Sequence, residues 1–266
     1  MKDFSPPAIV PWDEAPAATL AAIHTVITDV DDTITHQGQL SGAVLDALDR
    51  LRHAGVRIIP ATAASAGWGS LMASLWPVDA VIAENGGVCF IREGGAVRRR
   101  FHSEAAPDLS ALRSQLHRRF PRLEPAEDQP YRESCLAFRR LSEPEANAAV
   151  LAELAGLGAR GTVNSLWLLA WPGPWDKLAA SQRLLAEAYG QDFAGQRPYI
   201  LYVGDSENDQ PMFAALPHTV GVSTVVQHPL THWPRWITRG PGGSGFVEVA
   251  ERLVAARQEA TATRRP

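Results

Sequence analysis

Several residues with carboxylate side chains directly follow short apolar runs in this sequence. Asp29 and Asp31 follow the run His24–Thr28, and the acid-rich segment Gly204–Asp209 follows Tyr199–Val203. Like charges held close together are costly unless a cation neutralises them. Hard oxygen ligands at a partly hydrated site favour Mg²⁺. The pattern therefore predicts a magnesium-dependent reaction centred on these acids.

Two further polar residues stand in positions where they could join this chemistry. Thr62 follows a second apolar run, Val56–Ala61. Of the 25 Lys and Arg residues, only Lys2 and Lys177 are lysines. A chain that otherwise uses Arg for positive charge has kept Lys177 for a reason, whereas Lys2 is terminal and uninformative. Lys177 is therefore a candidate functional cation.

The elements that must position these residues follow from the apolar patterning. Ser41–Ala54 has a helical apolar face, with Ser41 as the predicted N-cap and Gly55 just past its end. Strands alternate with helices along most of the chain, which predicts an α/β fold: a Rossmann-like parallel sheet with helices on both faces. The predicted strands are His24–Thr28, Val56–Ala61, Ala80–Ala83, Tyr199–Val203 and Thr219–Val222. Ligands of such sheets bind beyond the carboxyl ends of the strands.

The middle of the chain has a different pattern, with glycine turns, helical stretches and strand-like pieces in mixed order. It predicts an inserted α+β cap domain. The predicted organisation is an N-terminal leader at 1–22, a core domain at 23–86 and 171–258, a cap domain at 87–170 and a flexible tail at 259–266. The short segment 84–87 would form the hinge into the cap, since glycines permit the turn.

Composition excludes several classes of protein. The formal charge of −4 argues against a dedicated nucleic-acid binder. No apolar run approaches the roughly 20 residues that span a bilayer, and the proline-rich N-terminus does not resemble a signal peptide. The two cysteines, Cys89 and Cys135, are too few for a disulfide framework. We expect a cytoplasmic protein, monomeric or homodimeric, with no membrane or nucleic-acid partner.

The polar segments are similar, in order, to the four motifs of the haloacid dehalogenase (HAD) superfamily. They are D-x-D-x-T at Asp29–Thr33, Thr62, Lys177 and G-D-x-x-N-D at Gly204–Asp209. The insert between the second and third motifs resembles that of the type IIB, Cof-like branch, which includes sugar-phosphate phosphatases such as sucrose-phosphatase. The resemblance extends from about residue 24 to residue 253. Four such motifs in order, each at a strand end, are a specific signal.

The resemblance implies a role for each matching residue. Asp29 would be the nucleophile that forms an aspartyl-phosphate, and Asp31 would protonate the leaving group and then deprotonate the attacking water. Thr62 would donate a hydrogen bond to the phosphoryl group, and Lys177 would neutralise its developing charge. The metal, Mg²⁺, would be held by the side chains of Asp29 and Asp205 and by the backbone carbonyl of Asp31. Asn208 would contact phosphate, and Asp209 would position Lys177 or a metal-bound water.

The second motif departs from the family pattern. Relatives carry Thr-Gly-Arg, whereas this chain has Thr62-Ala63-Ala64. The missing Arg removes a substrate-binding cation, which affects the choice of substrate but not the phosphoryl chemistry. Asp32 stands where many members have Gly, and we interpret it as a turn residue or outer charge rather than a catalytic group.

The cap would close over the phosphate site and contact the leaving group. Candidate substrate contacts are Asn85, Arg132, Asn164, Ser165, Trp68, Trp167 and Trp171. Tryptophan faces stack well on sugar rings, but tryptophans are also ordinary core residues. The arginines at 98–100 could attract an anion, although a solvated face is the commoner role of such a group.

Together these features predict a Mg²⁺-dependent phosphatase of a small phosphorylated metabolite, with a sugar phosphate as the best guess. One alternative is a phosphosugar mutase of the same superfamily, which returns the phosphoryl group to the sugar. Another is a binding module that keeps the site without turnover, for which the altered second motif is the only support.

Overall fold

The computed structural model describes residues 8–104, 106–164 and 166–263. In chain order its strands are β1 Val10–Pro11, β2 Thr25–Thr28, β3 Arg57–Pro60, β4 Ala80–Ala83, β5 Val88–Glu93, β6 Ala96–Phe101, β7 Leu136–Arg139, β8 Arg160–Val163, β9 Trp167–Trp171, β10 Ile200–Gly204, β11 Thr219–Gly221 and β12 Trp236–Ile237. Its α-helices are α1 Ala17–Ala22, α2 Gly42–His53, α3 Ala66–Leu75, α4 Ser110–Arg119, α5 Pro144–Gly156, α6 Lys177–Tyr189, α7 Phe193–Gln196, α8 Gln210–Ala215 and α9 Gly242–Thr263.

The central sheet has parallel strands in the order β1-β12-β11-β10-β2-β3. β4 continues it beside β3 through a parallel bridge between Ala61 and Ile82, and β5 and β6 then pair antiparallel. Strands β2 and β10 are buried along their whole length, as strands with helices on both faces must be. The predicted parallel α/β core is confirmed, and an antiparallel hairpin extends it at one edge.

Two apolar layers hold the helices against this sheet. Successive residues of β2 point to opposite faces, so Val26 packs in one cluster with residues of α1, α2, α3 and α9. Its neighbour Ile27 packs in the other cluster with residues of α6 and α8. Helix α2 begins as predicted, because the Ser41 hydroxyl accepts a hydrogen bond from the N–H of Val44 at 3.4 Å.

The inserted module is a three-stranded antiparallel sheet, ordered β7-β9-β8, with α4 and α5 on one face. Leu116 of α4 and Leu154 of α5 pack on that face with residues such as Leu168. The opposite face is turned toward the core, where Leu169 belongs to the same buried cluster as Ala63. The predicted α+β cap is therefore present, and its bare sheet face covers the loop after β3.

The predicted leader at 1–22 is wrong where the structure describes it, while residues 1–7 lie outside the described part. Val10 and Pro11 form β1 and pair with Trp236 and Ile237. Trp12 is only 3% exposed, and its indole N–H donates to the carbonyl of Glu248 at 3.2 Å. One buried aromatic side chain fixes this segment to the core, which its proline- and alanine-rich composition did not indicate.

The predicted domain boundaries at 87 and 171 also shift. The β5–β6 hairpin packs with the core clusters, through Val88 and Phe90 on one side and Ile91 on the other. It is therefore a core extension, and the cap begins after Phe101. At the second predicted boundary, Trp171 is the last residue of β9 and belongs to the cap sheet. The glycines at 86–87 indicated that the chain changes direction there. In the structure this change of direction is a turn within the core.

The C-terminal helix α9 extends to Thr263, so the predicted flexible tail at 259–266 is wrong for its described part, and 264–266 lie outside the described residues. The Arg257 side chain helps to hold α9, because it donates to the backbone carbonyls of Ala54, Ala21 and Ile23. Neither α9 nor any other helix of the described ranges combines the length and apolar character that crossing a membrane requires.

Candidate active site

Strand register brings the predicted site residues to one edge of the sheet. Thr28, the last residue of β2, lies opposite Val203 of β10 and Pro60 of β3. The residues that follow these strands therefore emerge side by side. They include Asp29, Thr62 and Asp205, all of them buried. The structure thus collects the predicted catalytic groups where the parallel topology required them to be.

Lys177 lies at the centre of this group. Its Nζ is 2.6 Å from Asp29 Oδ1 and 2.8 Å from Asp209 Oδ1, and 3.4 Å from Asn208 Oδ1. The ammonium is buried at the first position of α6, after the N-cap Asp176. A cation is unfavourable at that end of a helix dipole. The two carboxylates supply the compensation that a buried charge requires.

Asp209 is held on both of its oxygens. Oδ2 accepts the backbone N–H groups of Asp205 at 2.9 Å and Ser206 at 3.2 Å. Oδ1 accepts Lys177 and also the hydroxyl of Tyr202, at 2.5 Å. Tyr202 was missed from the sequence, where it is simply an aromatic residue within an apolar strand. Asp209 is therefore in contact with Lys177, and positioning Lys177, one of its two expected roles, stays a prediction.

Three buried carboxylates fit a divalent cation. Ligand oxygens of Asp29, Asp205 and Asp209 lie within 4.8 Å of one another. When all three are ionised, the single ammonium of Lys177 leaves this group with an uncompensated double negative charge. Oxygen donors and that charge suit Mg²⁺. The carboxylate of Asp31 is not a member of this group, so its expected part in metal binding, through the backbone carbonyl, stays a prediction.

Burial raises the pKa of the acids in the site. For Asp29 burial has the largest effect, raising the carboxyl pKa well above its ordinary value, while Lys177 acts in the opposite direction. Burial and then the neighbouring Asp209 raise the pKa of Asp205 to about 7. Burial also raises the pKa of Asp31, which favours the protonated form that a general acid needs. A bound cation would favour the ionised forms of Asp29 and Asp205.

The loop after β2 orients Asp31 and Asp32 differently. Asp31 Oδ2 lies 3.5 Å from the hydroxyl of Thr62, which itself accepts the N–H of Ala64 at 2.9 Å. Asp32 has a φ of 55°, a left-handed conformation that suits Gly and is tolerated by Asp. Its Oδ1 accepts the N–H of Gln37 at 2.9 Å. The geometry thus fits the turn function expected of Asp32.

The altered second motif has a structural counterpart in the cap. Arg132 is buried and donates to the carbonyl of Ala63 at 3.0 Å. Its guanidinium also binds the carboxylate of Asp128 at 2.7 and 3.1 Å. It lowers the pKa of Asp31 to a minor degree, against the larger effect of burial. Arg132 therefore links the cap to the core through the carbonyl of Ala63, and its predicted contact with substrate stays a prediction.

A buried glutamate fixes the cap to the core. Glu84 is 0% exposed and has a φ of 51°. Its Oε1 accepts the N–H groups of Ala66 at 2.8 Å and Glu133 at 2.9 Å, and its Oε2 accepts the N–H and hydroxyl of Ser134 at 2.6 and 2.7 Å. One carboxylate thus joins the start of α3 to the cap segment before β7. The sequence indicated a hinge here but not this clamp.

We expect the replacement of Glu84 by Gln to lower the free energy of unfolding by about 1–3 kcal/mol, because an amide NH₂ would face backbone donors. Urea denaturation measures this change. The matched control is Glu251→Gln, on an exposed carboxylate of α9 that is 56% exposed. Its expected effect is within about 0.5 kcal/mol. Equal stability of the two variants would contradict the proposed clamp.

The remaining substrate candidates have different placements. Trp171 is buried and donates its indole N–H to the carbonyl of Trp175 at 3.0 Å, and its substrate contact stays a prediction. Trp167 packs beside the same cluster. Asn85 is also buried, and its backbone N–H donates to the carbonyl of Thr62 at 3.0 Å. The backbone of Asn85 therefore supports the loop after β3, and a contact of its side chain with substrate stays a prediction.

Asn164 reaches the site from the cap. It is among the residues that line a cavity of about 400 Å³ together with Asp29, Asp31 and Asp205. Its Oδ1 also accepts the N–H of Trp167 at 2.7 Å, which orders the turn before β9. Ser165 lies outside the described residues. Arg140, Thr162 and His228 line the same cavity and were missed, since no motif spacing marks them.

Comparison with known proteins agrees with this architecture. No protein-family model matches the chain. A phosphoglycolate phosphatase from Pyrobaculum neutrophilum is 28% identical over 235 residues, which are 86% of this chain and 95% of that protein. A phosphatase of the haloalkanoate (HAD) enzyme superfamily from Bacteroides thetaiotaomicron superposes with a TM-score of 0.62 at 20% identity, covering 94% of this chain and all of the other. A HAD/COF-like hydrolase from Plasmodium vivax gives 0.66 at 11% identity, covering 90% and 98%.

The likeness to these structures shows the fold. Three of the four motifs lie at the carboxyl ends of strands β2, β3 and β10, and Lys177 lies at the start of α6. In fold and in the order of its motifs, the chain is similar to hydrolases of the haloacid dehalogenase superfamily. Its inserted α+β cap agrees with the resemblance to the type IIB, Cof-like branch seen in the sequence.

Proposed function

We propose that this protein is a Mg²⁺-dependent phosphatase that hydrolyses a small phosphomonoester through an aspartyl-phosphate intermediate. The observation that carries the proposal is the buried contact of Lys177 with both Asp29 and Asp209. These three residues lie beside Asp31 and are covered by the inserted cap. This arrangement combines a nucleophile, a compensating cation and an acid of raised pKa at one sheet edge.

In the first half-reaction, an oxygen of the Asp29 carboxylate forms a bond to phosphorus as the ester P–O bond breaks. Asp31 gives its proton to the departing oxygen, so that a neutral alcohol leaves. In the second, Asp31 takes a proton from water while the water oxygen attacks phosphorus. Inorganic phosphate leaves, and Asp29 returns as a carboxylate. Lys177 fixes Asp29 through Oδ1 throughout, and Thr62 would contact the phosphoryl oxygens.

The carboxylates of Asp29 and Asp205, with Asp209 beside them, would hold the Mg²⁺ ion. When bound, the ion lowers the repulsion between an anionic nucleophile and a phosphate dianion. Asp209 keeps its ties to Lys177 and Tyr202, which leaves Asp29 and Asp205 as the ligands we favour.

A sugar phosphate is the substrate class that the sequence suggested, and phosphoglycolate is a second candidate. The similarity to a phosphoglycolate phosphatase over most of both chains favours the second. The altered second motif and the engaged Arg132 also weaken any transfer of substrate from sugar-phosphate phosphatases.

A panel of phosphomonoesters, including an aryl phosphate, tests the proposal. We expect inorganic phosphate to be released in the presence of Mg²⁺, and release to stop when the metal is removed by chelation. Conversion of a hexose 1-phosphate to its 6-phosphate without free phosphate would instead support the mutase. Thermal stabilisation by one compound without turnover of any would support the binding module.

A further inference from the structure

The outer face of helix α3 is apolar. The inner side of the helix packs into the core through residues such as Met72 and Ala73. On the opposite side, Trp68, Leu71 and Leu75 are 54%, 47% and 71% exposed. Their spacing of three and four residues aligns them along one face of the helix. The outer face of a surface helix ordinarily carries polar and charged side chains, so the composition of this face indicates contact with another apolar surface.

Helix α3 also differs from the other long helices in its charge. The chain has no charged residue between Arg57 and Asp79, a stretch that contains the whole helix. Each of the other helices of ten or more residues contains charged side chains, namely α2, α4, α5, α6 and α9. Charged residues are depleted at the centre of protein interfaces. The composition of α3 is therefore that of an interface centre.

Tyr131 extends this surface onto the segment before β7. It is 65% exposed, and a Cβ on Gly67 would lie 3.0 Å from the Cβ of Tyr131. Gly67 precedes Leu71 by one helical turn, so the tyrosine lies at the border of the same face. Since an aromatic side chain has an area of about 150–250 Å², the four exposed apolar side chains together present on the order of 400–500 Å². These four side chains form the α3 patch: Trp68, Leu71, Leu75 and Tyr131.

The surroundings of the α3 patch favour a second copy of this chain as its partner. Arg99 and Glu133 line the groove beside Gly67 and Tyr131, and they pair with each other at 2.6 Å. This border is electrically balanced, so a partner of one charge sign gains no attraction from it. A neutral apolar surface is matched by another of the same kind, and every copy of the chain carries one.

The spacing of the α3 patch suits a two-fold axis. A closed dimer uses the same surface on both subunits. Trp68 and Leu75 are about 10 Å apart along the helix, and Leu71 lies midway between them. When two α3 helices pack antiparallel across an axis at Leu71, Trp68 of each copy lies against Leu75 of the other. The patch then supplies about half of the roughly 800 Å² that each partner buries in an interface of standard size.

We propose that the outer face of α3 is the interface of a homodimer, with α3 packed antiparallel against its symmetry-related copy. The α3 patch supplies an apolar centre that includes two aromatic side chains, as the strongly binding part of an interface commonly does. Tyr131 directly precedes Arg132, which donates to the carbonyl of Ala63. The interface therefore covers the junction of cap and core. It is separate from the active site, since the described residues that line the cavity there include none of the four.

Sedimentation velocity at protein concentrations between about 1 and 100 µM tests the proposal. We expect the wild-type protein to associate to a dimer within this range. Leu71→Lys and, separately, Leu75→Lys should each raise the dissociation constant by at least about 100-fold, because symmetry brings every substitution into the interface twice. Both side chains are exposed, so each variant should fold. A lysine at 75 also suits the C-terminal end of the helix dipole.

Leu45→Lys is the matched control, since Leu45 is a large apolar residue of α2 that is 37% exposed. It should change the dissociation constant by less than about threefold. Thermal unfolding at about 1 and 100 µM is a second measurement, in which the melting temperature of the wild type and the control should rise with concentration and that of Leu71→Lys should not. A wild-type protein that stays monomeric throughout, or a dimer that both lysine variants of α3 leave intact, overturns the proposal.

Discussion

Replacing Asp29 with Asn should lower phosphate release from a generic aryl phosphate by about three to five orders of magnitude, the scale of removing a nucleophile. The change is isosteric, and the amide oxygen can still accept the Lys177 ammonium that now binds Oδ1 at 2.6 Å. It also removes one charge from a crowded buried group, so the fold should be retained. The measurement is initial rates with Mg²⁺, alongside thermal unfolding of both proteins.

The matched control is Asp32→Asn in the same loop. Asp32 lines the same cavity but has a φ of 55°, which Asn tolerates as well as Asp does. Its activity should stay within about threefold of wild type. A radiolabelled phosphoryl group should remain on denatured wild-type protein and be absent from Asp29→Asn. Retention of a tenth or more of the activity by Asp29→Asn would rule out Asp29 as nucleophile.

The core of this site was predictable because strand ends carry positional information. A parallel sheet places the residues after each strand at one edge. Once the strands were correctly assigned, the proximity of Asp29, Thr62 and Asp205 could therefore be predicted. Lys177 comes from a helix far along the chain, and its rarity as a lysine marked it. In the structure Lys177 forms buried ion pairs with both Asp29 and Asp209.

The cap and its attachment could not be predicted in the same way. Glu84 and Arg132 act through backbone groups of distant segments, and such contacts leave no residue pattern to read. Arg140 reaches the cavity only because β9 inserts between β7 and β8. The N-terminal segment is held against the core by the buried side chain of Trp12. That one contact orders a segment whose proline- and alanine-rich composition suggested a loose leader. Tertiary packing decides these features, so local sequence could not reveal them.

The second large effect should come from Lys177→Met, which removes the cation between two buried carboxylates. We expect a loss of about 3–5 kcal/mol in the free energy of unfolding, measured by urea denaturation without metal at alkaline pH. Lys177 lowers the pKa of Asp29, against the larger effect of burial, so in the variant the folded-state pKa of Asp29 should rise further above its unfolded value.

A folded-state pKa raised in this way stabilises the protein at low pH, and that stabilisation is lost as pH rises through the folded value. The deficit of Lys177→Met should therefore shrink as the pH is lowered and grow as it is raised, and Mg²⁺ should recover part of it by supplying positive charge to the same carboxylates. The control is Arg50→Met, which removes an exposed cation 3.5 Å from Glu251 and should change stability by less than about 1 kcal/mol at any pH. A Lys177→Met protein as stable as this control at alkaline pH would show that the carboxylates do not depend on the buried ammonium, and the charge balance inferred for the site would be wrong.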